Sequence, residues 1–258
     1  MKVSIITVNL NNCNGLQKTI DSVVSQTYKD YEWIVVDGGS TDGSRELIEQ
    51  YSDRFSYWVS EHDTGVYCAM NKGINAAKGE YVIFMNSGDC FADSNVLSNV
   101  ACDLDCDIVA GYIKYDKTGV ETKSPAYLTP RHLFRQNIPH QAEFIRRSLF
   151  KEISMYSEDL RILSDFEFNV RAAMQDRTYK VINQLVSIVE PDGISNKYVS
   201  LMKEEASVIK ERLMSDAVRK DYDYWMEREK YLSSVHVDWA VNRGWPLKVL
   251  KVLHKLFR

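Results

Sequence analysis

The chain has 258 residues, 45% of them hydrophobic, a net charge of −4 and five cysteines. That length suits one large α/β domain with a smaller appendage, and a core that needs no disulfides. The acidic balance argues against a general nucleic-acid binder, and an odd cysteine count without a Cys-x-x-Cys pair argues against a disulfide framework or zinc ribbon. Cys13, Cys68, Cys90, Cys102 and Cys106 therefore read as reduced structural thiols. No basic, apolar and small-residue succession marks a signal peptide, and no apolar run of about 18 residues marks a membrane span. The expected compartment is the cytoplasm.

The first half alternates strand and helix. A strand at 3–8 runs into the Asn-rich loop 9–14, and a helix follows with Leu16, Ile20, Val23 and Val24 on one face. Strand 32–36 ends at Asp37, and Thr41 or Asp42 is placed to cap a helix carrying Leu47, Ile48 and Tyr51. Strand 56–60 leads to Glu61 and an Asp63 turn, and a third helix carries Met70, Ile74 and Ala77. Lys78-Gly79 ends it, and strand 80–85 delivers Asn86-Ser87-Gly88-Asp89. Apolar strands of this kind between helices predict a largely parallel sheet covered on both faces. Past Asp89 the alternation loosens. Residues 107–112, 143–145 and 179–189 read as extended, 114–138 as excursions, and 163–174 as a helix. A charged helical stretch runs from 199 to about 232, with Leu201, Ala206, Ile209 and Leu213 on one stripe. The expected division is a domain over 1–195 and a helical extension over 196–258.

Each early strand ends in an acidic, Gly-rich bend, which is where an open α/β sheet forms a ligand crevice. A carboxylate site can bind the diphosphate of a sugar nucleotide only through a divalent cation, Mn2+ or Mg2+. Asp89 is the candidate metal ligand; the competing reading is a simple strand-to-loop turn. Asp37 is placed to accept from a base imide or a ribose hydroxyl, and Gly38 and Gly39 allow close backbone approach. A Gly-x-Gly-x-x-Gly fingerprint is absent, which counts against a dinucleotide oxidoreductase. Lys72, beside Asn71, is either a cation for a leaving diphosphate or a surface lysine. Asp165, flanked by apolar residues, is either a general base or a helix cap. His140-Gln141 is either near the acceptor or structural. No acid occurs from Trp239 to Arg258, and residues 245–258 read as a basic amphipathic helix for an anionic membrane surface, or for packing on protein.

Together these segments resemble the family 2 glycosyltransferases of the GT-A fold, a Rossmann-like α/β architecture. They are most similar to colanic-acid and other bacterial polysaccharide-assembly transferases. The resemblance rests on residues 4–8, 32–40, 63–73, 84–89, 140–141 and 165–166, and spans about 1–195. It implies that Thr7, Val8 and Asn9 line a base pocket with Asp37. It implies that Asp63, Asn71 and Lys72 belong to a donor-binding segment, and that Asp89, with Ser87 beside it, belongs to the metal-binding motif. It further implies that Asp165 is the base of an inverting transfer, with His140 and Gln141 flanking acceptor or diphosphate. The expected partners are a nucleotide-sugar donor, UDP-linked in preference to GDP-linked, and a glycan or lipid-linked acceptor at the inner membrane face. One departure stands out: the family has Asp where this chain has Cys68. A thiol cannot replace a carboxylate toward sugar hydroxyls or a hard cation. The alternative function is accordingly a non-catalytic sugar-nucleotide-binding scaffold.

Overall fold

The structure, a computed structural model, describes residues 1–190 and 198–232. Strands β1 (Val3–Asn9), β2 (Tyr31–Asp37), β3 (Tyr57–Ser60) and β4 (Tyr81–Phe84) pair in the order β3-β2-β1-β4, all parallel. Successive residues of these strands enter two different cores. Ile5, Trp33, Val35 and Ile83 face one; Ile6, Ile34, Val36 and Phe84 face the other. Both faces are dry, so the strands read as continuous apolar runs rather than alternating ones.

Helices α1 (Cys13–Val24) and α2 (Ser44–Gln50) cover the first face with Leu16, Ile20, Val23, Leu47 and Ile48. Helix α3 (Val66–Ala76) covers the second with Met70 and Ile74. Val24, expected on the buried stripe of α1, is exposed, because one further residue turns the side chain by about 100°. Gly43, not Thr41 or Asp42, occupies the cap position of α2. Asp42 instead serves two helix starts. Its Oδ1 accepts from the backbone N–H of Ser44 at 3.1 Å, and its Oδ2 from that of Cys13 at 2.8 Å.

Beyond β4 the chain adds β5 (Cys90–Phe91), α4 (Val96–Val100), β6 (Ile108–Tyr115), β7 (Glu121–Lys123) and α5 (Pro130–Leu133). Then come β8 (Glu143–Arg146), α6 (Leu149–Glu152), α7 (Ser164–Met174) and β9 (Tyr179–Val189). Here the sheet becomes mixed: β8 lies antiparallel between β4 and β6, β9 runs parallel to β6, and β5 and β7 are antiparallel edges. The parallel sheet expected of the first half is found in the first four strands, each joined to the next by a helical crossover. The two-residue β5 and three-residue β7 are too short for their periodicity to be read.

The charged helical stretch expected over 199–232 consists of two helices, α8 (Val199–Leu213) and α9 (Asp216–Leu232). The break falls where the Ser215 hydroxyl accepts from the N–H of Val218 at 3.4 Å and so starts a new helix. The chain divides into two compact units, Met1–Ala206 and Ser207–Arg258. The boundary expected at 195 and the basic segment 245–258 lie outside the described residues. No described helix is long and apolar enough to cross a membrane. All five cysteines are free thiols.

Candidate active site

The site is built on the carboxyl ends of the parallel strands. Asn9 and Asp37 end β1 and β2 in register. Asp37 is wholly buried, and five donors converge on it. Oδ1 accepts from Asn9 Nδ2 at 2.7 Å and Ser40 Oγ at 2.5 Å. Oδ2 accepts from the N–H groups of Gly39 and Ser40 at 3.2 and 2.9 Å, and from Ser60 Oγ at 2.6 Å. Burial works against the charge, but the hydrogen bonds from Ser40, Ser60 and Asn9 outweigh it and hold the pKa below the ordinary carboxylate value. A carboxylate offers about four lone-pair sites, so Asp37 is saturated by its own chain. It organises the Gly38-Gly39-Ser40 turn, with Gly39 at φ +81°. The unmatched acceptor at this rim is Asn9 Oδ1, buried without a hydrogen-bond partner among the described residues. Thr7 and Val8 do not reach the rim with their side chains. The Thr7 hydroxyl accepts from Trp33 Nε1 at 3.0 Å inside one core, and Val8 packs in the other.

The Asn86–Asp89 turn stands at the same end of the sheet. Past β4 the backbone keeps following β1, with Met85 N–H on Ile6 O at 2.9 Å and Ser87 N–H on Val8 O at 3.1 Å. Gly88, at φ +103°, closes the turn in the left-handed region. Thr19 of α1 anchors it: its hydroxyl accepts from Gly88 N–H at 3.0 Å and lies 2.8 Å from Asp89 O. Asn12 Nδ2 donates to Ser87 O at 3.0 Å, so Ser87 is held through its backbone. Burial pushes Asp89 up to about 6, against the opposing pull of His140 and a Gln141 hydrogen bond, while Glu190 adds to the rise.

The third component is Asp165, in the first turn of α7. It does not cap that helix; Leu163 holds the cap position. Its Oδ1 lies 2.9 Å from the Tyr67 hydroxyl at the start of α3. Its Oδ2 lies 3.4 Å from His140 Nδ1, and His140 Nε2 lies 3.2 Å from Asn86 Nδ2. One imidazole thus spans the candidate base and the strand-end turn. Burial opposes its charge, yet the Asp165 hydrogen bond and the charges of Asp165 and Asp89 raise its pKa above the ordinary imidazole value. Gln141 stands next to it, its carbonyl accepting from Ser187 Oγ.

Two members of the expected donor segment are occupied differently. Asn71 Nδ2 donates to Tyr156 O at 2.9 Å, and its Oδ1 accepts from Tyr156 N–H at 3.1 Å. Both ends of the amide brace α3 against the 156–158 loop. Lys72 Nζ lies 2.5 Å from both Asp63 Oδ1 and Glu61 Oε1, and these acids raise its pKa. Its charge is already matched, and Asp63, with its side chain 7% exposed, is part of that pairing. Cys68 lies partly exposed in the same first turn of α3 as Tyr67. Sequence reasoning misses Thr19, Ser40, Ser60, Tyr67 and Asn86. Ser60 and Asn86, at strand ends, and Tyr67, beside the Gly65 that opens α3, have a positional signal.

A hard divalent cation fits the Asn86–Asp89 turn by its donor chemistry. Asp89 is a half-buried carboxylate that gains from a nearby positive charge, and Asn86 Oδ1 is a buried oxygen without a hydrogen-bond partner among the described residues. Among the described residues no three His, Cys, Asp or Glu side chains form a closed cage. Such an ion would be shared with the oxygens of a ligand.

Residues 4–166 match the family model described as Glycosyl transferase family 2. A PGL/p-HBAD biosynthesis glycosyltransferase of Mycobacterium tuberculosis is 34% identical over 207 residues, covering 76% of this chain and 80% of that protein. An uncharacterized glycosyltransferase of the same species is 36% identical over 180 residues, covering 67% and 69%. Among solved structures, S. aureus TarS 1-349 in complex with UDP-GlcNAc has a TM-score of 0.65 at 19% identity, covering 86% of this chain and 70% of that one. A mannosyltransferase from Pyrobaculum calidifontis in complex with GDP-Man and Mn2+ has a TM-score of 0.58 at 13% identity, covering 94% and 79%. The sheet with its acidic strand ends, the match over 4–166 and these relatives agree: the chain belongs to glycosyl transferase family 2 and has the GT-A fold.

Proposed function

We propose that this glycosyltransferase moves a sugar from a nucleoside-diphosphate donor to a hydroxyl of a saccharide or lipid-linked acceptor, with inversion, in the assembly of a bacterial surface glycan. The observation that carries this reading is the His140 bridge, which joins the Asp165 carboxylate to the Asn86–Asp89 turn at one rim of the sheet. Asp165 takes the proton of the acceptor hydroxyl. The freed oxygen attacks the anomeric carbon from the face opposite the diphosphate, and the bond to the leaving phosphate oxygen breaks with its electron pair. Charge develops as in other oxocarbenium-like transfers. Asp89 and Asn86 would hold Mn2+ or Mg2+ beside the diphosphate, where such an ion supplies Lewis-acid stabilisation of the departing oxygens.

A UDP-linked donor is favoured and a GDP-linked one is the alternative, because similar folds have been solved with UDP-GlcNAc and with GDP-Man. Asn9 Oδ1 is the acceptor best placed for a base N–H at the Asn9–Asp37 rim. The basic segment 245–258 suits peripheral attachment to the inner face of the cell membrane, where a lipid-linked acceptor resides. The test is Asp165→Asn, assayed with UDP-GlcNAc and GDP-mannose, manganese and membrane extract. The expected result is loss of acceptor-dependent nucleoside diphosphate release by about 1,000-fold with nucleotide binding retained. Undiminished release removes Asp165 from the mechanism.

A further inference from the structure

Helix α8 sends one carboxylate to the entrance of α7. Glu205 is 6% exposed. Its Oε1 accepts from the N–H of Arg161 at 2.7 Å, and its Oε2 from the N–H groups of Ile162 and Leu163 at 3.0 and 2.9 Å. These are the three residues before α7 begins, and Leu163 has no side chain able to cap the helix. Without Glu205, the buried amides of Ile162 and Leu163 would lose their acceptor.

The hold continues into the active site. Ile162 is gripped on both sides: its N–H by Glu205, and its carbonyl by the Tyr67 hydroxyl at 2.6 Å. That hydroxyl lies 2.9 Å from Asp165 Oδ1. A continuous set of contacts therefore runs from Glu205 through Ile162 and Tyr67 to Asp165, and from there to His140. Bonds from amides to a carboxylate are charge-assisted and outlast neutral ones. Glu205 also lies outside the 4–166 match to the family, so a helix beyond the matched region reaches back to its last turn.

We propose that Glu205 is a positioning residue for the transfer reaction. It fixes the 161–163 segment, and through it the angle at which α7 and Tyr67 present the Asp165 carboxylate. The inference rests on the reading of Asp165 as the base. A misplacement of about 1 Å at such a group costs on the order of 100-fold in rate without touching the rest of the site.

The test uses the full chain carrying Glu205→Ala, Glu205→Gln or Asp165→Asn. Backbone amide exchange is followed over peptides spanning 158–168 and, as an internal control, 3–37. Turnover is followed as nucleoside diphosphate release from UDP-GlcNAc and GDP-mannose with manganese and membrane extract. In Glu205→Ala, exchange over 161–165 should rise about 10-fold, with 3–37 protected as in the parent. The kcat should fall on the order of 100-fold, with donor KM changed by no more than about twofold. Glu205→Gln keeps one acceptor oxygen and should lie between the two. Parental exchange over 161–165 in Glu205→Ala overturns the assignment, and so does loss of protection over 3–37 with parallel loss of donor binding. Exchange needs no substrate, so it decides the hold even if the true donor is another sugar. Full turnover in Asp165→Asn overturns the base itself. Loss in Asp165→Asn with normal turnover in Glu205→Ala overturns only the role of Glu205.

Discussion

His140 Nδ1 lies 3.4 Å from Asp165 Oδ2, and the carboxylate supports a positive charge on the imidazole. Despite burial, Asp165 and Asp89 raise the imidazole's pKa. Replacing His140 by Ala should lower turnover by about 10- to 100-fold while donor binding persists, because the base loses its orienting partner. The pairing also has a stability signature. A group whose folded pKa is raised contributes most below its unfolded value and loses that contribution as pH rises through the folded value. The melting temperatures of the parent and His140→Ala should therefore differ most near pH 6 and converge on the alkaline side.

Asp89 titrates near 6 because burial disfavours its charge. A divalent cation competes with that proton. Manganese affinity measured calorimetrically in the presence of UDP should strengthen as pH rises from 5 to 7 and then level off. Asp89→Asn should remove both the affinity and its pH dependence.

Asp37 holds two strand ends and a glycine turn together through five donors. Asp37→Asn places an amide N–H against some of those donors and should cost about 3 kcal/mol in urea unfolding at pH 7. The folded pKa is lowered, so the contribution is present above the ordinary carboxylate value and lost as pH falls through the folded one. The gap between parent and variant should narrow when the melts are repeated near pH 3.

Glu143, on β8, is buried with Asn169 Nδ2, at 3.3 Å, as its one donor among the described residues, and burial drives its pKa to about 8. Here the raised value belongs to an acid, which the folded chain keeps protonated while the unfolded chain does not. Stability should therefore fall as pH rises between the ordinary carboxylate value and about 8. Glu143→Gln should be neutral at pH 4.5 and more stable than the parent at pH 8, as read from melting temperatures at the two pH values.

The fold and the positions of the candidate-site carboxylates are legible in the sequence because they depend on patterns the chain repeats. Apolar runs closed by Asp37, Ser60 and Asn86 place those residues at strand ends before any coordinate is known. The role of each residue there is less legible. Asp37 is legible as a strand-end acid but not as the meeting point of five donors, and Asn71 as a helix residue but not as the amide that Tyr156 holds at both ends. Such roles depend on neighbours distant in sequence, as Asn71 and Tyr156 are. Thr19 is invisible for the same reason: within α1 it is one more small residue, and only the approach of the Gly88 turn gives its hydroxyl a purpose.

The reversed direction of β8 changes where variation can alter chemistry. In the parallel strands, the loop after each strand meets the ligand. At β8 it is the loop before the strand, since His140 and Gln141 arrive just ahead of Glu143. The stretch from Ser124 to Pro139 is thus the tether that delivers the imidazole, and it belongs to none of the segments that shape the Asn9–Asp37 rim. A chimera swapped between residues 124 and 139 changes the delivery of His140 while it keeps the Asn9–Asp37 rim.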